Sequence, residues 1–252
     1  MSDLRSVVDQ MGREVTYAFP PKRIVSLVPS QTEFLLELGA PVAGRTKFCV
    51  HPSSSIKDIP IIGGTKKFRL DAVDDLQPDL IIGNREENYK EGIEELSSAF
   101  PVWMSDIKTL DDAFQMMGAL GAMCDLSATA NSIVAACKAA IQTVENSRSG
   151  RVLYLIWQKP WMGAGRNTFI DHMLTTLGYE NVLVEDRYPE LTHEQIATLS
   201  PDKILLSSEP FPFNMKHLQQ ISALYPNTSV ELVDGELYSW YGSRLKKWKT
   251  AN

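Results

Sequence analysis

The chain repeats itself. The segment LDAVDDLQPDLIIG at 70–83 returns as LTHEQIATLSPDKILLSS at 191–208, which sets Asp71, Pro78 and Asp79 opposite Glu194, Pro201 and Asp202 at a constant offset of 123. RIVSL at 23–27 and VWMSD at 102–106 recur as RVLYL at 151–155 and VELVD at 230–234, both at an offset of 128. A solenoid stacks several short units, whereas this is one long period in two copies. Two similar lobes are predicted, each with its own small sheet, and a chain duplicated in this way tends to hold a ligand between its halves.

At 252 residues and 44% apolar content the chain can bury a sizeable core. A net charge of -6 sets nucleic acid aside as a partner, because phosphate recognition needs clustered cations and the only basic runs are Lys66-Lys67 and the KKWK near the end. Cys49, Cys124 and Cys137 are far apart, odd in number and without CxxC spacing, so neither a disulfide framework nor a zinc site is indicated. Cys124 and Cys137 fall in helical pattern and read as small core residues. No run reaches the length of a membrane span. The opening MSDLRSVVDQMGREVTYAFP is polar and lacks the apolar stretch of a secretory signal, so either a signal has been trimmed or the protein stays in the cytoplasm.

Ile24 to Val28 is a short strand ending at Pro29, and Ser30-Gln-Thr-Glu33 reads as a capping box opening the apolar helix FLLELG, closed by Gly39. Strands at 42–44, 79–83 and 102–104 alternate with helices at 70–77 and 89–99. Thr109 with Asp112 starts a helix running to about Met123, and the alanine-rich stretch 127–147, free of glycine and proline, predicts a second rod about 30 Å long. The scheme then repeats: strand 152–157, helix 168–177, short helix 193–199, strand 203–207, helix 214–223 and strand 229–233. The predicted fold is α/β, with two lobes of small parallel sheets flanked by helices and joined by one long rigid backbone helix. The boundaries are an N-terminal lobe at 1–108, a connecting helical segment at 109–149 and a C-terminal lobe at 150–252. Ligands of open parallel sheets bind beyond the carboxyl ends of the strands, here Pro29–Gln31, Lys47–His51, Asn84–Asn88, Gln158–Arg166 and Tyr238–Arg244.

The order RIVSLVPSQTEFLLELG, VAGRTKFCVHP, LQPDLIIG, a long helix, then LTHEQIATLSPDKILL resembles the helical-backbone (class III) substrate-binding proteins of ABC importers, which include the vitamin-B12-binding and ferric-siderophore-binding proteins. The resemblance covers about Gln10 to Trp248. It implies two α/β lobes joined by a rigid helix, a cleft with limited hinge motion, and binding without catalysis. It further implies a monomer that meets a permease dimer, touches the membrane only through that permease, and lies in the periplasm or otherwise outside the cytoplasm. Family members present an acidic residue from each lobe to permease arginines, and the matching positions are Asp71 and Glu194; read alone, these are also ordinary dipole-favoured carboxylates at helix starts. The vitamin-B12-binding pattern has a tyrosine in the loop that here reads KFCVHP, and its tryptophan after the third motif is absent from GGTKKFRLD. Tyr188 and the SWYGSRL tail do match. The implied cargo is a metal complex, namely a cobalamin-like corrinoid, a ferric siderophore or haem, with no intrinsic cofactor.

Candidate ligand contacts follow. Trp157, Trp161, Trp240 and Tyr241 suit a flat apolar wall, with Phe48 and Tyr188 as further aromatics; core packing is the alternative for each. His51 suits axial ligation of a bound iron or cobalt, although it has no second ligand at metal spacing. Arg85, with Glu86, Glu87 and Asn88, follows a strand and suits polar readout. Arg166 and Arg244 suit bidentate pairing with ligand carboxylates or phosphates, or simply neutralise local acids. His172, His193 and His217 read as surface or packing residues. GAGRNTF at 163–169 lacks the third glycine of a dinucleotide loop, and no hydrolase or kinase motif is present, so catalysis is not expected. Two rivals remain: a cytoplasmic ligand sensor or carrier on the same scaffold, and a nucleotide-using doubly wound enzyme.

Overall fold

A computed structural model describes residues 3–250, which divide into two compact units. The first holds the chain up to Ile107 with Asp111–Lys138 and Tyr241–Arg244; the second holds Lys108–Leu110, Ala139–Trp240 and the chain from Leu245.

The first unit opens with a hairpin, β1 (Asp3–Val8) and β2 (Glu14–Phe19), that the sequence reading does not anticipate. Its main sheet comprises β3 (Ile24–Ser26), β4 (Val42–Arg45), β7 (Leu80–Asn84) and β8 (Val102–Ser105) in the order β4-β3-β7-β8, all parallel, while β5 (Gly63–Gly64) and β6 (Lys67–Phe68) form a short antiparallel pair. The helices are α1 (Pro29–Leu38), α2 (Leu70–Leu76), α3 (Lys90–Ala99), α4 (Leu110–Met123) and α5 (Ser127–Gln142). Ile24, Val25, Ile81 and Ile82 are fully buried, as suits strands covered on both faces, and so are Phe34 and Leu35 of α1.

Two expectations need correction. No capping box forms at Ser30: Pro29 is already the first helical residue, Val28 is the N-cap without a side-chain bond, and the Glu33 carboxylate is drawn to Arg244 instead. Gly39 does close the helix, in the left-handed conformation with φ 85°. The rod predicted over 127–147 ends its regular turns at Gln142, because Val144 and Ser147 bond three residues back and Asn146 turns to φ 51°. Its 16 residues span about 24 Å. The division between the units falls inside α5, between Lys138 and Ala139.

The second unit contains β9 (Arg151–Trp157), β10 (Trp161–Gly163), β11 (Glu180–Asn181), β12 (Glu190–Leu191), β13 (Lys203–Ser207) and β14 (Ser229–Val233), with α6 (Phe169–Leu177), α7 (His193–Leu199), α8 (Met215–Leu224) and α9 (Gly235–Ser239), followed by a 3₁₀ segment at Ser243–Thr250. The sheet runs β12-β10-β9-β13-β14, with β11 beside β9. β9, β13 and β14 are parallel, but β10 is antiparallel to β9 because the connection 158–160 is too short for a crossover helix. Leu153, Leu155, Ile204, Leu206, Ile196, Ile221 and Phe213 form its core. Burying each such side chain stabilises the fold by about 1.5–3 kcal/mol.

The sequence repeat is a structural one. β3, β7 and β8 correspond to β9, β13 and β14, and α2 corresponds to α7, each of the helices having seven residues and a left-handed C-cap, Gln77 or Ser200. The repeated Pro-Asp has a mechanical role: Asp79 accepts the backbone N–H groups of Lys22 and Arg23 at 2.7 and 3.0 Å, and Asp202 accepts that of Arg151 at 2.8 Å. The arginines reciprocate, Arg23 donating to the Leu76 carbonyl and Arg151 to that of Ser200. Each clamp ties the entry of one strand to the exit of the short helix.

Candidate functional site

In the second unit the carboxyl ends of β9 and β13 carry a run of touching rings. Trp157, 38% exposed at the end of β9, meets Phe211 edge-on at 5.6 Å between centroids. Phe211 meets Phe213 at 4.7 Å, and Trp161 lies parallel to Phe213, 2° apart in plane at 6.3 Å. Phe213 is core-buried and anchors the group, and Asn214 directly after it caps α8 with its side-chain oxygen on the Lys216 N–H. His193, the first residue of α7, completes the set: Trp161 Nε1 donates to His193 Nε2 at 3.3 Å, and His193 Nδ1 lies 2.9 Å from the Tyr225 hydroxyl. A cavity of about 730 Å³ opens beside these rings, lined by Lys159, Pro160, Trp161, Leu191, His193 and Ile221 among others. Such a surface offers broad, stiff, apolar contact with polar groups at its edge.

The strand-end loops of the first unit are more polar. Asn84 shapes the loop after β7: its Oδ1 accepts the N–H groups of Glu86 and Glu87, and its Nδ2 donates to Ser105 Oγ at 2.9 Å. Arg85 is thereby turned outward, where it pairs with Asp106 at 2.8 Å. Phe48 is 51% exposed with the Lys47 ammonium 5.0 Å from its ring centre, and His51 sits half-buried nearby in the chain. Lys66 donates to the Glu86 carbonyl.

Other candidates lie inside their units. Trp240 is buried and donates to Glu209 Oε1 at 2.9 Å. Tyr241 is also buried. Arg244 is 4% exposed and gives both Nε and Nη2 to the Glu33 carboxylate at 2.9 Å, so the bidentate face a ligand acid would need is already engaged. Tyr188 is half-buried with Arg187 over its ring, and Arg166 is exposed in the loop whose backbone pairs with Asp186.

Asp71 and Glu194 occupy the same place, the second residue of α2 and of α7, and both are exposed. Among the described residues neither carboxylate has an ion-pair partner. Among the described residues no group of three or more His, Cys, Asp or Glu side chains could hold a metal ion, and no helix is long and apolar enough to cross a membrane. All three cysteines are buried, and burial pushes the Cys124 thiol up to about 12.

The sequence reading passed over Phe211, Phe213 and Tyr225, and read His193 as a surface or packing residue without assigning it to the site. The signal for the first two was EPFPF at 209–213: aromatics in a loop directly after a strand, where polar residues are the rule.

Residues 24–224 match the family model described as periplasmic binding protein. Among curated proteins, the chain is 24% identical over 215 residues to an uncharacterized ABC transporter substrate-binding lipoprotein, YvrC, of Bacillus subtilis, covering 79% of this chain and 68% of that one. It is 23% identical over 201 residues to the vitamin B12-binding protein of Pectobacterium carotovorum, covering 75% and 72%. Among solved structures, the apo periplasmic heme-binding protein RhuT from Roseiflexus sp. RS-1 superposes with a TM-score of 0.76 at 20% identity, covering 91% of this chain and 95% of that one. The fold is thus that of two-lobed binding proteins, and the match over most of the length places this chain in the periplasmic binding protein family.

Proposed function

We propose that this chain is the substrate-binding component of an ABC importer, a monomer working outside the cytoplasmic membrane that captures a bulky metal-bearing ligand, a corrinoid, ferric siderophore or haem, and hands it to a permease dimer. The observation that carries the reading is the pair of unpartnered carboxylates, Asp71 and Glu194, at one position in two copies of one substructure. A two-fold permease pair would meet like charges in like places. The aromatic wall Trp157, Phe211 and Trp161 supports a large flat ligand, with Tyr188, Arg166, Phe48, His51 and Arg85 as further contacts. The relatives named for vitamin B12 and heme support the cargo class. A metal in this scheme travels with the cargo, and His51 is the candidate axial ligand to it.

Thermal unfolding of the apo protein against cyanocobalamin, haemin, a ferric hydroxamate, divalent cations and nucleotides tests the proposal. A ligand at 100 times its Kd adds about 2.7 kcal/mol, readily seen as a higher Tm. A rise with one metal complex identifies the cargo; a response to nucleotides alone refutes the reading.

A further inference from the structure

We infer that His193 is a positioning residue for Trp161, fixing the indole only while its Nε2 is unprotonated; this rests on Trp161 being part of the ligand wall. An indole N–H can only donate, so the nitrogen 3.3 Å from it must present a lone pair. The proton of the neutral ring therefore sits on Nδ1 and is donated to the Tyr225 oxygen at 2.9 Å. Burial holds the Tyr225 phenol above its ordinary value, so it remains a hydroxyl that can accept. Parallel stacking on Phe213 sets the plane of the indole, and the hydrogen bond to His193, whose ring stands 77° to it, gives the indole N–H its partner.

His193 is exposed, so protons reach it directly. A second proton on the ring would set two N–H donors face to face, leaving Trp161 to its apolar packing beside the cavity it helps to line. Lys159 lines the same cavity from the turn before β10, Tyr225 ends α8, and Glu194 follows His193 on α7. Among the described residues no carboxylate bonds to either ring nitrogen, and His217 of α8 meets Phe211 and Phe213 rather than His193.

The test is NMR of the full chain labelled with ¹⁵N-indole tryptophan, the Trp161 Nε1–H signal being assigned by its loss in Trp161→Phe. Between about pH 8 and about pH 5, the range in which imidazoles change charge, the signal is expected to move in the parent and to stay fixed in His193→Gln, whose amide oxygen accepts but does not titrate. An immobile signal in the parent, or the same titration in His193→Gln, overturns the inference. Affinity for cyanocobalamin or haemin is expected to fall about three- to tenfold at the acid end in the parent but not in His193→Gln, the worth of one hydrogen bond. Affinity that falls equally in both proteins counts against it. If none of cyanocobalamin, haemin and a ferric hydroxamate binds at any pH, the functional reading fails while the NMR result still decides the positioning role.

Discussion

Glu33 and Arg244 are 8% and 4% exposed, and each satisfies the other with two hydrogen bonds. Arg244→Ala would strand a buried carboxylate and is expected to cost about 3–5 kcal/mol in urea unfolding, with much of the loss recovered by adding Glu33→Gln. Glu209 shows the opposite imbalance. Burial raises its carboxyl above the ordinary value, outweighing the Ser239 and Trp240 donors that lower it. A folded-state value above the unfolded one means that the folded protein holds this proton more tightly; the contribution is full at low pH and is lost as pH rises through the folded value. Glu209→Gln keeps an acceptor for both donors and removes that decline. Equilibrium unfolding from pH 4 to 8 should therefore show the variant gaining on the parent as pH rises, and a variant losing ground towards pH 8 would refute the assignment.

At the scale of elements, two glycines of α4 separate backbone cost from packing. A Cβ on Gly121 would lie 2.3 Å from the Ala130 Cβ of α5, whereas one on Gly118 meets nothing within 4 Å. Gly121→Ala is expected to lower stability by about 1–3 kcal/mol through overpacking, and Gly118→Ala to raise it by about 0.5–1 kcal/mol through helix propensity; Tm comparison of the two decides. Elements with strong periodicity and clear stops, such as α6, α7, β7 and β13, were legible in the sequence because local pattern and tertiary role agree there. The 3–19 hairpin, β10 and β12 were not, since short strands owe their existence to a partner rather than to their own residues. The end of α5 was misplaced for a related reason, as alanine-rich sequence carries no stop signal before Asn146. The site was read in part. Trp157 stood out at a strand end and Trp161 in a loop, but their assembly with Phe213, His193 and Tyr225 depends on contacts between distant segments. Likewise Arg244 could be read as a ligand cation or as a neutraliser of acid, and the choice depended on a partner 211 residues away.

Across the whole molecule, the duplicated acids have separated into two kinds. Asp79 and Asp202 hold strand entries together, and replacing either with alanine is expected to cost about 1–2 kcal/mol, read by chemical denaturation. Among the described residues the Asp71 and Glu194 carboxylates have no ion-pair partner. Their double alanine variant should keep its Tm and its ligand affinity while permease-coupled uptake falls away, and unimpaired uptake would remove the docking role. The pair Glu33 and Arg244 also sets a timetable. Both belong to the first unit, yet 211 residues separate them, which is roughly 10–40 s of translation at about 5–20 residues per second. Through that interval the carboxylate on α1 waits without its counter-ion, and by its end the sheet strands of the second unit, all made by Val233, are complete. The half that leaves the ribosome first thus closes its interior only after the sheet strands of the other half have been made.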